Sequence, residues 1–496
     1  MTERLSSADV SFFYLEGRTT PQHVGGLAVF APPAEGFDYD RLVRLLEERI
    51  VLVPRYRQKI RAVPAHLANP VWVDDPNFDI TYHVRRSTLP RPGNQAQLLE
   101  FCARIQSRLL DRSRPLWELY LVEGLPDGKV AILTKTHHAM VDEAGAIDIG
   151  QVILDTSPQP LRTVGPHWMP EPEPSATRLL CEALAGFARR PGALVDAVRL
   201  GIKDARASTG QVTSVASTAL STTLAIVRRA PSSPLTVTLG QHRRIAVARS
   251  RLEDYRQVRQ THGGTVNDVA LATVAGALRG WLVQRGEPVP ASLVVRALAP
   301  VSVSDDDGAD RVTPLLVDLP VGEPSPPQRL ALISQAMAEH QRSGRSVSAR
   351  ALVALSGFAP PTLHGLGARA AKGLTRRMFS LVVTNVPGPQ HALYAAGARM
   401  TEMFPIPPLG PGQAVSIGIT SYDGDVFYGV NSDRDAMPDV AVLATLIEQS
   451  LADLVAASPV AGERTGVARR GQVGRGKPVI RRVAAATAGA ARGARS

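Results

Sequence analysis

Thr136-His137-His138-Ala139-Met140-Val141-Asp142 is the stretch on which the reading of this 496-residue chain turns. Two histidines stand side by side, and an aspartate follows four residues after the second. The apolar run Val130-Ala131-Ile132-Leu133 leads into the pair, and the small residues Ala144-Gly145-Ala146-Ile147 follow it. Upstream, Trp117 to Val122 reads as a strand. Pro126-Asp127-Gly128 reads as a tight turn, because Asp-Gly tolerates the positive φ of a short hairpin. Lys129 to Thr136 is then the return strand. His138 falls just past its end, where a buried scaffold presents a side chain to a cleft. An imidazole with an ordinary pKa of about 6.5 is the usual proton acceptor near neutral pH. A carboxylate one turn away can orient such a ring or shape the loop that carries it.

The rest of the chain sets the frame. Its length exceeds what one hydrophobic core normally organises, so two domains are expected. With 44% hydrophobic but only 5% aromatic residues, the cores must pack on Leu, Val and Ala. Cys102 and Cys181 are the two cysteines, too few for a disulfide framework or a CxxC metal site, which fits a reducing compartment. The N-terminus has no basic segment followed by an apolar run, so no signal peptide is expected. No stretch of about 18 apolar residues predicts a membrane span. The net charge of +11 is uneven: from Glu463 to Ser496 nine basic residues face one acid, a net of +8. This Ala, Gly and Arg-rich tail reads as disordered. A solvated tail without a partner is one reading. The other is attraction to an anionic lipid surface, at about 1 kcal/mol per basic residue close to it. Without interleaved aromatics, no nucleic-acid partner is expected.

The division predicted from breakers and composition is 1–155, a linker with helices over 156–242, a second domain over 243–457, and the basic tail 458–496. Pro158, Pro160 and the Pro170-Glu171-Pro172-Glu173-Pro174 run end the first domain. Leu179 to Ile202 reads as a helix broken by Pro191. Glu253 to Gln260 and Val266 to Arg285 read as helices, the latter capped by Thr265 or Asn267. A second hairpin is read at Ala414 to Val430, turning at Asp423-Gly424, with no histidine pair after it. A short strand over Leu293-Val294-Val295 places Arg296 at its end.

Several chemistries drop out. There is no GxSxG elbow for a serine hydrolase. Gly471 to Lys477 mimics a phosphate loop, but Pro478 stands where Ser or Thr is needed and no strand precedes it. No histidine spacing suits a metal site, and adjacent side chains such as those of His137 and His138 diverge.

Further segments carry a resemblance. They are Leu5-Ser6-Ser7-Ala8-Asp9, Phe12-Phe13-Tyr14-Leu15-Glu16 and Pro21-Gln22-His23-Val24-Gly25-Gly26-Leu27. Then come Arg114-Pro115-Leu116-Trp117-Glu118, Thr265-Val266-Asn267-Asp268-Val269-Ala270, Arg296 to Ser302, and Thr384-Asn385-Val386-Pro387-Gly388-Pro389. In this order, from about Leu5 to about Leu454, they strongly resemble the bacterial wax ester synthase/diacylglycerol acyltransferase family. The resemblance implies an α/β fold of two chloramphenicol-acetyltransferase-like domains with an interdomain active-site tunnel. It implies transfer of a fatty acyl group from acyl-CoA, a substrate rather than a cofactor, to diacylglycerol or a long-chain alcohol. By the same likeness His138 is the general base, Asp142 its orienting or loop-shaping partner, and His137 a supporting neighbour. Asn267 and Asp268 belong to the tunnel on this reading, and to a helix start on the local one. Arg296 pairs with Asp142, or is an ordinary domain-interface arginine.

Two places depart from the family pattern, the lesser being Asp310-Arg311-Val312, where the family often has Gly-Asn before that position. Glu143 stands where the family usually has glycine, which adds bulk and a second negative charge beside Asp142. This leaves two alternatives open: acylation of a different lipid or polyketide-type alcohol, or a lipid-binding paralogue with weak or no turnover. The expected location is cytoplasmic, peripheral at the inner membrane face or on lipid droplets.

Overall fold

The computed structural model describes residues 3–64, 67–141, 149–159, 168–189, 233–304, 310–343 and 378–458. In chain order the first elements are α1 (Ser7–Leu15), β1 (His23–Ala31), α2 (Tyr39–Arg49), β2 (Gln58–Arg61), β3 (Val71–Asp74), α3 (Ile80–His83), β4 (Val84–Thr88) and α4 (Gln95–Gln106). Next come β5 (Trp117–Glu123), β6 (Val130–His137), α5 (Ile149–Val152), β7 (Leu154–Asp155), α6 (Ala176–Arg189), β8 (Arg243–Arg251), α7 (Leu252–His262) and α8 (Val266–Gln284). The last group is β9 (Val295–Ser304), β10 (Asp310–Leu319), α9 (Pro326–Ser343), β11 (Leu381–Pro387), β12 (Tyr394–Ala395), β13 (Ala398–Ile406), β14 (Val415–Tyr422), β15 (Asp425–Asp433) and α10 (Val440–Ala456).

Two mixed sheets organise these elements. The first runs β4-β5-β6-β1-β13-β12-β7, and the second runs β10-β9-β11-β14-β15-β8. Both predicted hairpins form. β5 turns into β6 through Asp127 (φ 58°) and Gly128 (φ 67°), and β14 turns into β15 through Asp423 (φ 47°) and Gly424 (φ 92°). At Asp423-Gly424 the paired positive φ values give the strand twist that a two-residue connection needs, whereas Asp127-Gly128 lies within a longer connection from Glu123 to Val130. Every residue of β6 is buried. Covered on both faces, the strand begins as the continuous apolar run Val130 to Leu133, and its second half, Thr134 to His137, is polar and buried.

The helices follow their caps. Thr265 Oγ1 accepts from the Asp268 N–H (3.1 Å) and the Thr265 N–H donates to Asp268 Oδ2 (2.8 Å), which starts α8 by a capping box. Glycines let α10 lie close on α8: a Cβ at Gly276 would stand 2.2 Å from Ser450 Oγ. The predicted helix over Leu179 to Ile202 is α6 as far as Arg189, and the remainder lies outside the described residues.

Each sheet has its own apolar core, one around Leu27, Phe30, Leu46, Trp117 and Ile132, the other around Val269, Leu278, Trp281, Ile417 and Leu443. The sheets do not follow the halves of the chain strictly. Residues 394–406 come from the second half, yet β12 and β13 lie in the first sheet, with Leu27 opposite Phe404. Phe404 meets Phe427 of β15 edge-on at 5.3 Å, and Arg249 of β8 makes a two-point contact with Glu402 (2.9 and 2.8 Å). The two cores are thereby stitched together by exchange of a strand. The strand over Leu293 to Val295 is also redrawn: β9 begins at Val295, and Arg296 is near its start rather than at its end.

No helix among the described residues is long and apolar enough to cross a membrane. The basic tail lies outside the described residues.

Candidate active site

The histidine pair sits where β6 stops. His137 is the last residue of the strand, opposite His23 of β1, and His138 opens a turn of 3-10 helix over His138–Met140. The His138 N–H donates to Gln22 O at 2.8 Å, and the Ala139 N–H donates to His137 Nδ1 at 3.1 Å. Successive side chains along extended backbone leave on opposite faces. His137 is accordingly sealed at 0% exposure, whereas His138 is half-buried.

α1 forms the wall against His138. Its start is fixed by Ser6: Ser6 Oγ accepts from the Asp9 N–H (3.2 Å) and donates to Asp9 Oδ2 (2.7 Å). One turn on, the Phe12 ring stacks on the His138 ring with centroids 4.0 Å apart and planes 20° from parallel. Burial lowers the His138 pKa to about 4, against the opposing pull of its own backbone and of the Asp9 carboxylate. The ring is therefore a neutral imidazole at pH 7, the form that accepts a proton.

Behind the pair lies a buried polar cluster. Glu16 Oε1 lies 2.9 Å from His23 Nε2 and 3.6 Å from His137 Nε2, while the Arg112 guanidinium reaches Glu16 Oε2 at 2.8 Å. Because His137 Nδ1 accepts from Ala139, the proton of a neutral His137 must sit on Nε2, toward Glu16. Burial lowers His137 to about 3 and His23 to about 4. Burial alone would raise the Glu16 carboxyl. The hydrogen bond from His23, the charges opposite it and Arg112 overcome that and hold it at about 2. Since both imidazoles are neutral at pH 7, the lasting countercharge for Glu16 is Arg112, with the ring N–H groups as neutral donors. Lys135, 1% exposed, donates to the carbonyls of Ile105 (3.0 Å) and Arg108 (2.6 Å) and so ties the end of α4 to β6.

Glu16, His23 and Arg112 were not singled out from the sequence as site residues. The available signal was a polar residue interrupting an apolar stretch, after Phe12 to Leu15 and within β1. Their convergence on His137 depends on strand pairing across more than a hundred residues.

The remaining candidates are dispersed. Asp142 and Glu143 lie outside the described residues. Asp268 is the third residue of α8 and the partner of the Thr265 cap, so it sits at the helix start that the local reading gave. Asn267 Oδ1 accepts from Asn385 Nδ2 at 3.0 Å, which joins the Thr265 to Ala270 segment to the Thr384 to Pro389 segment. Arg296 makes a two-point contact with Asp318 on the neighbouring strand β10 (2.7 and 2.9 Å).

Comparison with known proteins fits this geometry. Residues 5–270 match the wax ester synthase/diacylglycerol acyltransferase catalytic domain, and residues 310–455 match the WS/DGAT C-terminal domain. The chain belongs to the wax ester synthase/diacylglycerol acyltransferase family. Among curated relatives, the probable diacylglycerol O-acyltransferase tgs1 of Mycobacterium tuberculosis is 33% identical over 475 residues, covering 94% of this chain and 98% of the relative. The probable diacylglycerol O-acyltransferase tgs3 of the same species is 45% identical over 260 residues, 52% of this chain and 96% of the relative. The solved wax ester synthase/diacylglycerol acyltransferase from Marinobacter aquaeolei VT8 superposes with a TM-score of 0.67 at 29% identity, covering 92% of this chain and 99% of that one. A starter condensation domain of rhizomide synthetase, at 15% identity and a TM-score of 0.50 over 92% of this chain and 95% of that one, shares the fold. The family's two-domain, chloramphenicol-acetyltransferase-like α/β architecture is thus the architecture of this chain.

Proposed function

We propose that this member of the family transfers a fatty acyl group from acyl-CoA to the hydroxyl of diacylglycerol, with long-chain alcohols as a second acceptor class. His138 acts as the general base. The observation that carries this reading is the half-buried, neutral His138 ring, held by Gln22 O through its backbone and by Phe12 through its face. The curated relatives named as diacylglycerol O-acyltransferases support the choice of acceptor.

The reaction needs no covalent enzyme intermediate. His138 takes the proton of the acceptor hydroxyl as its oxygen attacks the thioester carbonyl. The tetrahedral oxyanion collapses with cleavage of the C–S bond, and the imidazolium returns the proton to the CoA thiolate. Ester and CoA leave, and the ring is neutral again. Asp142 orients His138 or shapes its turn, and a tunnel between the two domains holds the acyl and acceptor chains. His137, locked by Ala139 and Glu16, supports the turn and stays out of proton transfer.

Glu143 favours a second reading, a lipid-binding paralogue with weak turnover. Purified protein given palmitoyl-CoA, with diacylglycerol and hexadecanol in parallel, decides between them. Acceptor-dependent CoA release with a matching ester product supports the transferase. Acyl-CoA binding without CoA release supports the paralogue. If the tail bearing +8 anchors the enzyme to anionic lipid, deleting 463–496 weakens co-sedimentation with anionic vesicles and leaves turnover of dispersed substrate intact. Unchanged co-sedimentation removes the anchor role.

A further inference from the structure

A groove of about 820 Å³ runs between α4 and α10, floored by β8. Three features bear on what it takes. The first is charge. Five arginines line it (Arg104, Arg243, Arg244, Arg249 and Arg434) against the two carboxylates Glu100 and Glu448. Arg249 is committed to Glu402, Arg243 lies 3.8 Å from Asp433, and Arg434 lies 3.5 Å from Asp435. Arg104 and Arg244 are exposed, and neither meets a carboxylate among the described residues; the only hydrogen bond of the Arg244 guanidinium there goes to Pro438 O at 2.7 Å.

The second feature is the open edge of the sheet. β8 is a terminal strand of the second sheet. On its unpaired side the Arg243 N–H donates to Ser107 Oγ (2.9 Å) and the Arg249 N–H to Glu448 Oε1 (3.0 Å). Outward N–H groups alternate along an antiparallel edge, so those of Ile245 and Val247 face the same way, along the groove.

The third feature is where the groove ends. Ser107 and Arg243 stand at one end, and the Arg243 guanidinium donates to Thr19 O at 2.6 Å. Thr19 is three residues from Gln22, whose carbonyl holds the His138 N–H. Lys135 ties the same end of α4 to β6, three residues before His138, a rise of about 10 Å along extended chain. This end of the groove is therefore tied by hydrogen bonds to the segments that carry His138.

We infer that this groove binds the phosphate-bearing end of the acyl-CoA donor, with Arg104 and Arg244 as the phosphate contacts. The inference rests on the acyl-CoA reading above. A diphosphate with a further phosphate monoester suits several guanidinium groups and edge N–H donors, because arginine binds phosphate oxygens in a planar, two-point fashion. The flexible pantetheine arm then runs past Ser107 toward His138, which places the thioester at the base.

The test is direct binding of CoA itself, independent of turnover, by calorimetric titration of the full chain. The double variant Arg104→Glu/Arg244→Glu should raise the CoA Kd at least about tenfold, and the KM for acyl-CoA in parallel. The same reversal at Arg259, on the exposed side of α7, should leave the Kd within about twofold. Wild-type affinity should weaken as salt rises, and the double variant should lose most of that dependence. Both arginines are exposed, so circular dichroism should report an unchanged fold. An unchanged Kd in the folded double variant overturns the groove assignment, even if the wild type releases CoA normally. Arginine-dependent CoA binding without CoA release from any acyl-CoA keeps the groove and removes the transferase reading.

Discussion

Mild acid should strip stability from the first domain, by an amount that follows from three sealed imidazoles. His23, His83 and His137 are 2%, 1% and 0% exposed. Burial lowers their pKa values to about 4, about 4 and about 3. In the unfolded chain each ring titrates near its ordinary value of about 6.5. Between that value and about 4 the unfolded state binds protons that the folded state refuses. Stability is therefore complete above pH 6.5 and is lost as the pH falls toward 4. Glu16 acts in the same direction but in a lower window. Its carboxyl is held at about 2, so its contribution is present above its ordinary range and is lost only on descent through about pH 2, which adds no slope between pH 7 and 5.5. At about 1.4 kcal/mol per pH unit per ring, the three sealed histidines together cost about 4 kcal/mol on going from pH 7 to 5.5, and His138, also lowered to about 4, adds about 1 kcal/mol more. Urea denaturation followed by tryptophan fluorescence measures this, because Trp117 is buried and stacks on His83 at 4.6 Å. A loss below about 1 kcal/mol would mean that most of these rings titrate near their ordinary value of about 6.5 in the folded chain. The account of burial at these rings would then be wrong.

Two further outcomes follow from the same geometry. Gly429→Ala places a Cβ 1.8 Å from the backbone oxygen of Pro405, where the exchanged strand crosses β15, and should lower stability by about 3 kcal/mol. Gly128→Ala, at φ 67° with open space around it, should cost only about 1 kcal/mol, and equal losses in the two variants would refute the close-crossing argument. The kcat/KM of the folded enzyme should stay flat from pH 8 down to about 5.5, because His138 is held at about 4; a limb centred near 6.5 would show an unburied, unperturbed ring.

Much of this was legible in the sequence because it is local. Asp127-Gly128 and Asp423-Gly424 mark hairpins through backbone preference alone. Thr265 and Asp268 mark a helix start at the spacing a capping box requires. His138 at the end of β6 follows from the hairpin that precedes it. The exchange of β12 and β13 into the first sheet was not legible, because an extended segment does not name its partner, and Pro405 within Ala398–Ile406 disguises a strand. Pairing of Arg296 with Asp318 depends on the register of β9 against β10, which nothing in either segment specifies. The Glu16, His23 and Arg112 cluster escaped for the same reason: each residue is ordinary in its own window, and only the fold brings them to His137.

The general-base role of His138 is tested most directly by its replacement with alanine. The measurement is CoA release from palmitoyl-CoA with diacylglycerol as acceptor, at pH 7.5, beside circular dichroism and the urea midpoint of the same preparation. The account predicts a folded protein that still binds CoA and releases it from the thioester roughly 10²–10⁴-fold more slowly than the unsubstituted chain. Release within about tenfold of the unsubstituted rate by a folded His138→Ala protein would contradict it.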